Sequence, residues 1–216
     1  MQKIGIISPT YNRPDFIRLL ALQLENQNIR PDFVAFYQNG TPDSYEWAIK
    51  DIKHHYKYVW LHEKEKINQE EWYATPLEFL IKENCTHFFW CDHDDIYEAS
   101  HIKKGMEKLN DYDYSVNKRS NLLLLKNTYE YFPNQNFTAH DPGGMSSSMC
   151  FNRAFAEELV KDLRNNAKLT DGKLCFADQV VKRVTMPKFN CLVNEEDATT
   201  TYVCHPKTVS SSHWLA

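Results

Sequence analysis

Over the first hundred residues, short apolar runs alternate with longer stretches whose apolar positions repeat at helical spacing. Lys3–Ser8 is an apolar run that stops at Pro9. From Pro14 to Gln27, Phe16, Ile17, Leu20 and Leu24 recur at helical spacing, and Pro14 suits a first turn. Phe33–Tyr37 is a second apolar run, stopped by Asn39-Gly40. Ser44–His54 predicts a helix with Trp47, Ile49 and Ile52 as its apolar part. Tyr58–Leu61 reads as a third strand, and Glu70–Glu83 as a helix with a possible kink at Pro76. His87–Cys91 is a fourth strand, rich in aromatics.

A strand–helix alternation of this kind predicts an α/β fold, a mostly parallel central sheet flanked by helices. Ligands of such sheets bind at the carboxyl ends of strands. Chemistry is therefore expected in the loops after Ser8, Tyr37 and Cys91. The second half is less regular. Asn121–Leu125 and Tyr129–Phe132 read as partner strands, and Arg153–Asn165 and Ala177–Val184 as helices. Phe189–Val193 and Thr200–Cys204 are late strands. No repeat, low-complexity tract or linker interrupts the chain, so a single domain over 1–216 is expected.

Composition narrows the class. Hydrophobic residues make up 42% and aromatics 13% of 216 residues, which is a globular composition. A net charge of -4 leaves no basic footprint, so nucleic acid is not expected as a partner. No signal peptide or transmembrane segment is visible, and a cytoplasmic location is the expectation. The six cysteines are scattered without a CxxC pair and sit mostly in apolar runs. Buried free thiols are expected there.

Phe88-Phe89-Trp90-Cys91-Asp92-His93-Asp94-Asp95 carries the most information. An apolar strand runs into three carboxylates within four residues. Their mutual repulsion is relieved by a divalent cation, and hard cations such as Mn²⁺ or Mg²⁺ prefer carboxylate and phosphate oxygens. The alternative is a solvated acidic turn before a helix that starts near Ala99.

The segment resembles the DxD motif of GT-A glycosyltransferases, in the family-2-like form where an apolar strand ends in Asp-x-Asp-Asp. Ile6-Ile7-Ser8-Pro9-Thr10-Tyr11-Asn12-Arg13-Pro14 is similar to the opening of the same family. Small enzymes of this kind occur in chlorella viruses, which would place the chain in host cytoplasm, and in bacterial surface-glycan clusters. The resemblance implies a GT-A (Rossmann-like) fold with a nucleotide-binding half, 1–98, and an acceptor and sugar half, 99–216. It implies a hexosyl transfer from a UDP-sugar to a glycan or glycoprotein acceptor. Pro9, Thr10, Tyr11, Asn12 and Arg13 would meet the nucleotide, with Tyr11 stacking on the base. Asp92 and His93 would lie near the ribose, and Asp94 would bind the metal with help from Asp92. Where many relatives have an aspartate that pairs with uracil, this chain has Gln38 and Asn39. Read from the residues alone, Thr10 and Asn12 are equally plain helix caps.

Three later segments carry further expectations from the resemblance. Gly143 and Gly144, in a Gly/Ser loop, would touch the donor sugar. Asp178, which opens a helix, would be the general base of an inverting enzyme, or a sugar-positioning group if configuration is retained; a dipole-favoured helix start explains it equally well. His205 would complete the metal shell and Lys207 would neutralise the diphosphate. Lys64, Lys66 and Arg13 are further phosphate candidates. Rival readings are a sugar-phosphate nucleotidyltransferase, disfavoured by a glycine-free Ser8–Pro14 loop, a metal phosphoesterase, and a non-catalytic nucleotide- or glycan-binding module.

Overall fold

The computed structural model describes residues 2–65, 67, 69–117, 119–124, 129–135, 146–166, 177–194 and 198–204. Its strands are β1 (Ile4–Thr10), β2 (Phe33–Asn39), β3 (Lys57–Glu63), β4 (His87–Trp90), β5 (Ile96–Tyr97), β6 (Tyr114–Asn117), β7 (Arg119–Leu124), β8 (Tyr129–Gln135), β9 (Met149–Asn152), β10 (Cys191–Asn194) and β11 (Thr200–Cys204). Its α-helices are α1 (Pro14–Glu25), α2 (Gln69–Lys82), α3 (His101–Lys108), α4 (Arg153–Asn166) and α5 (Ala177–Val180), the last continued by a π-helical turn over Val181–Thr185.

Seven strands form the central sheet in the order β10-β6-β9-β4-β1-β2-β3. All its pairings are parallel except those of β9, which runs antiparallel to both β4 and β6. Four strands form a second sheet, ordered β5-β11-β7-β8. Both faces of the central sheet are covered, which is why β1 and β2 are buried along their whole length. On one face Ile7, Ala35, Phe88 and Trp90 meet Leu77 and Leu80 of α2 and Phe155 and Leu159 of α4. On the other, Ile6, Phe36, Phe89 and Cys91 meet Ile17, Leu20 and Leu24 of α1 and Ile102 and Met106 of α3.

β1 and β2 each run two residues past the apolar run that announces them, to Thr10 and Asn39. Polar side chains end the hydrophobic signal while the backbone ladder continues, Thr10 lying opposite Gln38. α2 passes through Pro76 as a single helix. The helix expected over Ser44–His54 is instead a 3₁₀ turn at Glu46–Ala48 followed by further turns. Side chains take up carbonyls that a helix would use. Arg18 donates to the Ala48 oxygen at 2.8 Å, and the His54 ring meets the Ile49 oxygen at 3.1 Å. The backbone there closes on itself at the shorter spacing, Ile52 N–H donating to Ile49.

Cys85, Cys91 and Cys150 are buried free thiols and Cys191 is a half-buried one, as expected. The side chains of Cys175 and Cys204 lie outside the described residues. Among the described residues no helix is long and apolar enough to cross a membrane.

α1 also governs the segment between β4 and α3. Gln23 donates to the Asp95 oxygen and accepts from Tyr97 N–H at 2.6 Å. One turn on, Gln27 donates to the Glu98 oxygen at 2.9 Å and accepts from Ile102 N–H at 3.2 Å. Two amides at i and i+4 thus satisfy the backbone between the acidic loop and α3 as a neighbouring strand would.

α3 sits so close to the sheet that a Cβ on Gly105 would lie 2.3 Å from Phe89 and 3.1 Å from Cys150. Phe89 is fully buried and has no room to yield. A Gly105→Ala substitution gains about 1 kcal/mol of helix propensity, but the overpacking dominates. We expect a net loss of about 1–3 kcal/mol in denaturant unfolding. An unchanged midpoint would show that α3 packs less tightly than this.

Candidate active site at the carboxyl edge of the central sheet

The acidic loop leaves the carboxyl end of β4 at the middle of the sheet, next to the end of β1. Each of its carboxylates has a different environment. Asp92 accepts a hydrogen bond from the Trp90 indole at 3.0 Å, and its carbonyl accepts from the Tyr97 hydroxyl at 3.1 Å. Trp90 is fully buried and stacked on Tyr73 of α2, with ring centroids 3.6 Å apart. Asp94 has a partly accessible side chain that faces Arg13 and His93, each at 4.0 Å. The His93 ring is tied to the Pro9 carbonyl at 3.1 Å. Asp95 is 1% exposed and accepts from Val203 N–H of β11 at 3.0 Å. Burial, followed by the charges of Asp94 and Asp92, pushes its pKa well above the carboxylate range.

The loop after β1 closes over the same edge. Asn12 adopts φ 50, a left-handed turn that asparagine tolerates, and Arg13, at φ -147 and ψ 72, stays out of the α region ahead of Pro14. No side chain caps α1, so neither Thr10 nor Asn12 serves as the helix cap that their residue types allow. Thr10 instead shares a 3.2 Å hydrogen bond with the Tyr45 hydroxyl. Tyr11 is 45% exposed, an aromatic ring left on the surface beside a polar edge. Arg13 lies over the Phe16 ring and reaches toward Asp94.

At the end of β2, the Gln38 amide is fully engaged within the chain. Its nitrogen donates to the Thr41 hydroxyl and, at 2.7 Å, to the Asp43 carbonyl. Its oxygen accepts from Tyr45 N–H and the Trp60 indole, both at 3.1 Å. No donor or acceptor is left for a base edge, so the pairing expected of an amide here does not fit Gln38. Asn39 is buried and accepts from Ile67 N–H at 3.1 Å.

Pro9, Thr10, Tyr11, Asn12, Arg13, Gln38, Asn39, Asp92, His93 and Asp94 are therefore gathered at one edge by three neighbouring strands. Gly143, Gly144, His205 and Lys207 lie outside the described residues. Asp178 is on the first turn of α5, and its side chain also lies outside the description. Among the described residues no group of three or more His, Cys, Asp or Glu side chains is arranged to hold a metal ion. Asp92 and Asp94 supply two hard oxygen donors on one loop, the donor type that suits a hard dication.

No family model matches the sequence, and no curated protein matches it. Solved structures do match. S. aureus TarS, residues 1–349, in complex with UDP-GlcNAc superposes with a TM-score of 0.70 at 12% identity, over 98% of this chain and 61% of that one. The fold is GT-A. The UDP complex of the same TarS fragment superposes at 0.66 with 13% identity, over 95% of this chain and 61% of that chain. A Desulfovibrio desulfuricans G20 protein described as a nucleotide-diphospho-sugar transferase superposes at 0.54 with 9% identity, over 95% of this chain and 83% of that chain. The chain thus spans about three fifths of the TarS fragment.

Several residues that shape this GT-A edge were not evident in the sequence: Tyr45, Trp60, Tyr73, Gln23 and Gln27. Aromatics and glutamines at helical or strand spacing look like ordinary packing until the elements are assembled. His101 is another. It lies beneath the loop, 5.0 Å from the Tyr97 ring, with Nδ1 2.8 Å from the Thr199 hydroxyl. Burial, helped by Lys108, pushes its pKa down from 6.5 to about 3.

The unfolded chain therefore binds a proton at His101 that the folded chain refuses. Stability contributed by neutral His101 is complete above pH 6.5 and falls as pH drops from there toward 3. The slope is at most about 1.4 kcal/mol per pH unit. Denaturant unfolding at about pH 7 and about pH 5 should show a larger loss in wild type than in His101→Gln. Equal losses would mean that His101 is not held neutral.

Proposed function

We propose that the chain is a metal-dependent glycosyltransferase that moves a hexose from a UDP-sugar to a glycan or glycoprotein acceptor. The carrying observation is the Asp92–Asp95 loop, set at the carboxyl end of the central parallel strand of a GT-A fold beside the Tyr11–Arg13 loop. The TarS structures with UDP-GlcNAc and UDP support a uridine nucleotide as the donor class.

In this reading residues 1–98 bind the nucleotide and 99–216 the sugar and acceptor. Tyr11 offers its exposed ring to the base, and Pro9, Thr10 and Asn12 shape the wall on which it stands. Asn39 and His93 border the nucleoside. Gln38 acts from behind, since its amide is occupied by the chain. Asp94 and Asp92 would hold a Mn²⁺ or Mg²⁺ ion, with His205 as a further ligand, and the ion would supply electrostatic stabilisation of charge developing on the diphosphate. Arg13, beside Asp94, and Lys207 add positive charge to the same leaving group. Gly143 and Gly144 permit close backbone approach to the sugar. The acceptor oxygen bonds to the anomeric carbon as the bond to the diphosphate oxygen breaks. Asp178 takes the hydroxyl proton if configuration inverts.

UDP release from a panel of UDP-sugars, with Mn²⁺ and with chelator, tests this. Asp94→Ala should lower turnover by about 100-fold or more while the protein remains folded. Wild-type turnover in that variant, or turnover indifferent to chelator, would overturn the metal-dependent mechanism. Pyrophosphate release from UTP and a sugar phosphate would instead assign a nucleotidyltransferase.

A further inference from the structure

Gln38 and Tyr45, both buried, and half-buried Trp60 form a hydrogen-bonded unit behind the Tyr11–Arg13 loop, and the Tyr45 hydroxyl joins it to that loop. Tyr45 is 6% exposed. Its backbone N–H and the Trp60 indole converge on the same Gln38 oxygen, each at 3.1 Å. Its ring stands edge-on to Trp60 at 5.7 Å, which fixes the direction of the phenol. The hydroxyl then meets Thr10 Oγ1 at 3.2 Å, at the last position of β1 before the chain leaves the sheet. Burial raises the Tyr45 pKa, and the Thr10 hydroxyl and the backbone of Arg13 and Asn12, which face the phenol oxygen, oppose that rise. Two residues beyond Thr10 the chain turns through the left-handed Asn12, and three beyond lies Arg13, 4.0 Å from Asp94. The segment that carries Tyr11 and Arg13 has no side-chain cap on α1 to hold it.

We infer that Tyr45 is a positioning residue for the nucleotide: held by Gln38 and Trp60, its hydroxyl sets the Thr10–Arg13 loop and with it the placement of Tyr11 and Arg13 toward a uridine diphosphate. This rests on the UDP-sugar donor proposed for the same edge. Tyr45 touches no substrate. It acts by keeping the loop in one arrangement before the ligand arrives, so its loss weakens binding through preorganisation. The side chain consumed in this role is Gln38, whose amide is thereby unavailable to a base.

Calorimetric titration with UDP and Mn²⁺ tests the inference in wild type, Tyr45→Phe, Thr10→Val and the double variant. Tyr45→Phe keeps the ring and its contact with Trp60. Each single substitution should weaken UDP by about 3- to 10-fold, the worth of one hydrogen bond. The double variant should be no weaker than the worse single, because Tyr45→Phe already removes the bond that Thr10→Val removes. Donor KM should rise with kcat unchanged, and the thermal midpoint of Tyr45→Phe should stay near that of wild type. If Tyr45→Phe does not fold, Thr10→Val alone carries the test from the other side of the bond. UDP binding unchanged in both single variants, or losses that add in the double, overturns the role of Tyr45 and leaves the donor reading intact. Absence of UDP binding by wild type overturns the donor reading and this inference with it.

Discussion

Three carboxylates at the end of one buried strand repel one another, and the surrounding structure is arranged around that repulsion. Each is dealt with differently. Asp92 is held by a buried indole that is itself stacked on Tyr73 of α2. Asp94 is left partly accessible, within reach of Arg13 and His93. Asp95 is taken out of solvent and given the Val203 amide of β11. Its raised pKa records the cost, since burial and two neighbouring charges all disfavour ionisation. Asp94 thus keeps a partly accessible side chain beside a cation, Arg13.

The same contacts join the two sheets. Asp95 reaches β11, and α1 reaches β5 and the start of α3 through Gln23 and Gln27. The acidic loop is therefore gripped from the second sheet and from α1 at once. β11 also carries the chain toward His205, one residue past its end. A loop fixed on both sides loses little further freedom when it closes on a ligand, which favours binding. Buried His101 adds to this floor by requiring neutrality beneath a charged loop.

The middle of the central sheet was legible because β1 and β2 are buried on both faces, so that sequence hydrophobicity and strand position coincide. The acidic loop was legible for the opposite reason: three charges directly after Trp90-Cys91 break the apolar pattern abruptly. The helix expected over Ser44–His54 shows where the reading stops. Its apolar spacing is real, and Ile49 is buried. Yet Arg18, from α1, claims the Ala48 carbonyl and the His54 ring that of Ile49, and no local pattern records a competitor such as Arg18. β6 and β9, four residues each, were too short and too mixed to stand out. Their pairing with β4 and β10 comes from topology, not from propensity.

Gln38 shows how a residue can be placed at a strand end and still be misread by chemistry. Its position after the β2 apolar run made it a candidate ligand, and its amide would suit a base. Register decides otherwise. Thr10 and Gln38 are direct partners on adjacent parallel strands, and Tyr45 spans the pair from above. Slipping β2 by one residue would turn Gln38 to the other face and bring Tyr37 or Asn39 in its place. The loop geometry is thus a consequence of sheet register, which is set by the buried apolar residues upstream. The fold itself asks less of the side chains, as the TM-score of 0.70 with TarS at 12% identity over 98% of this chain illustrates.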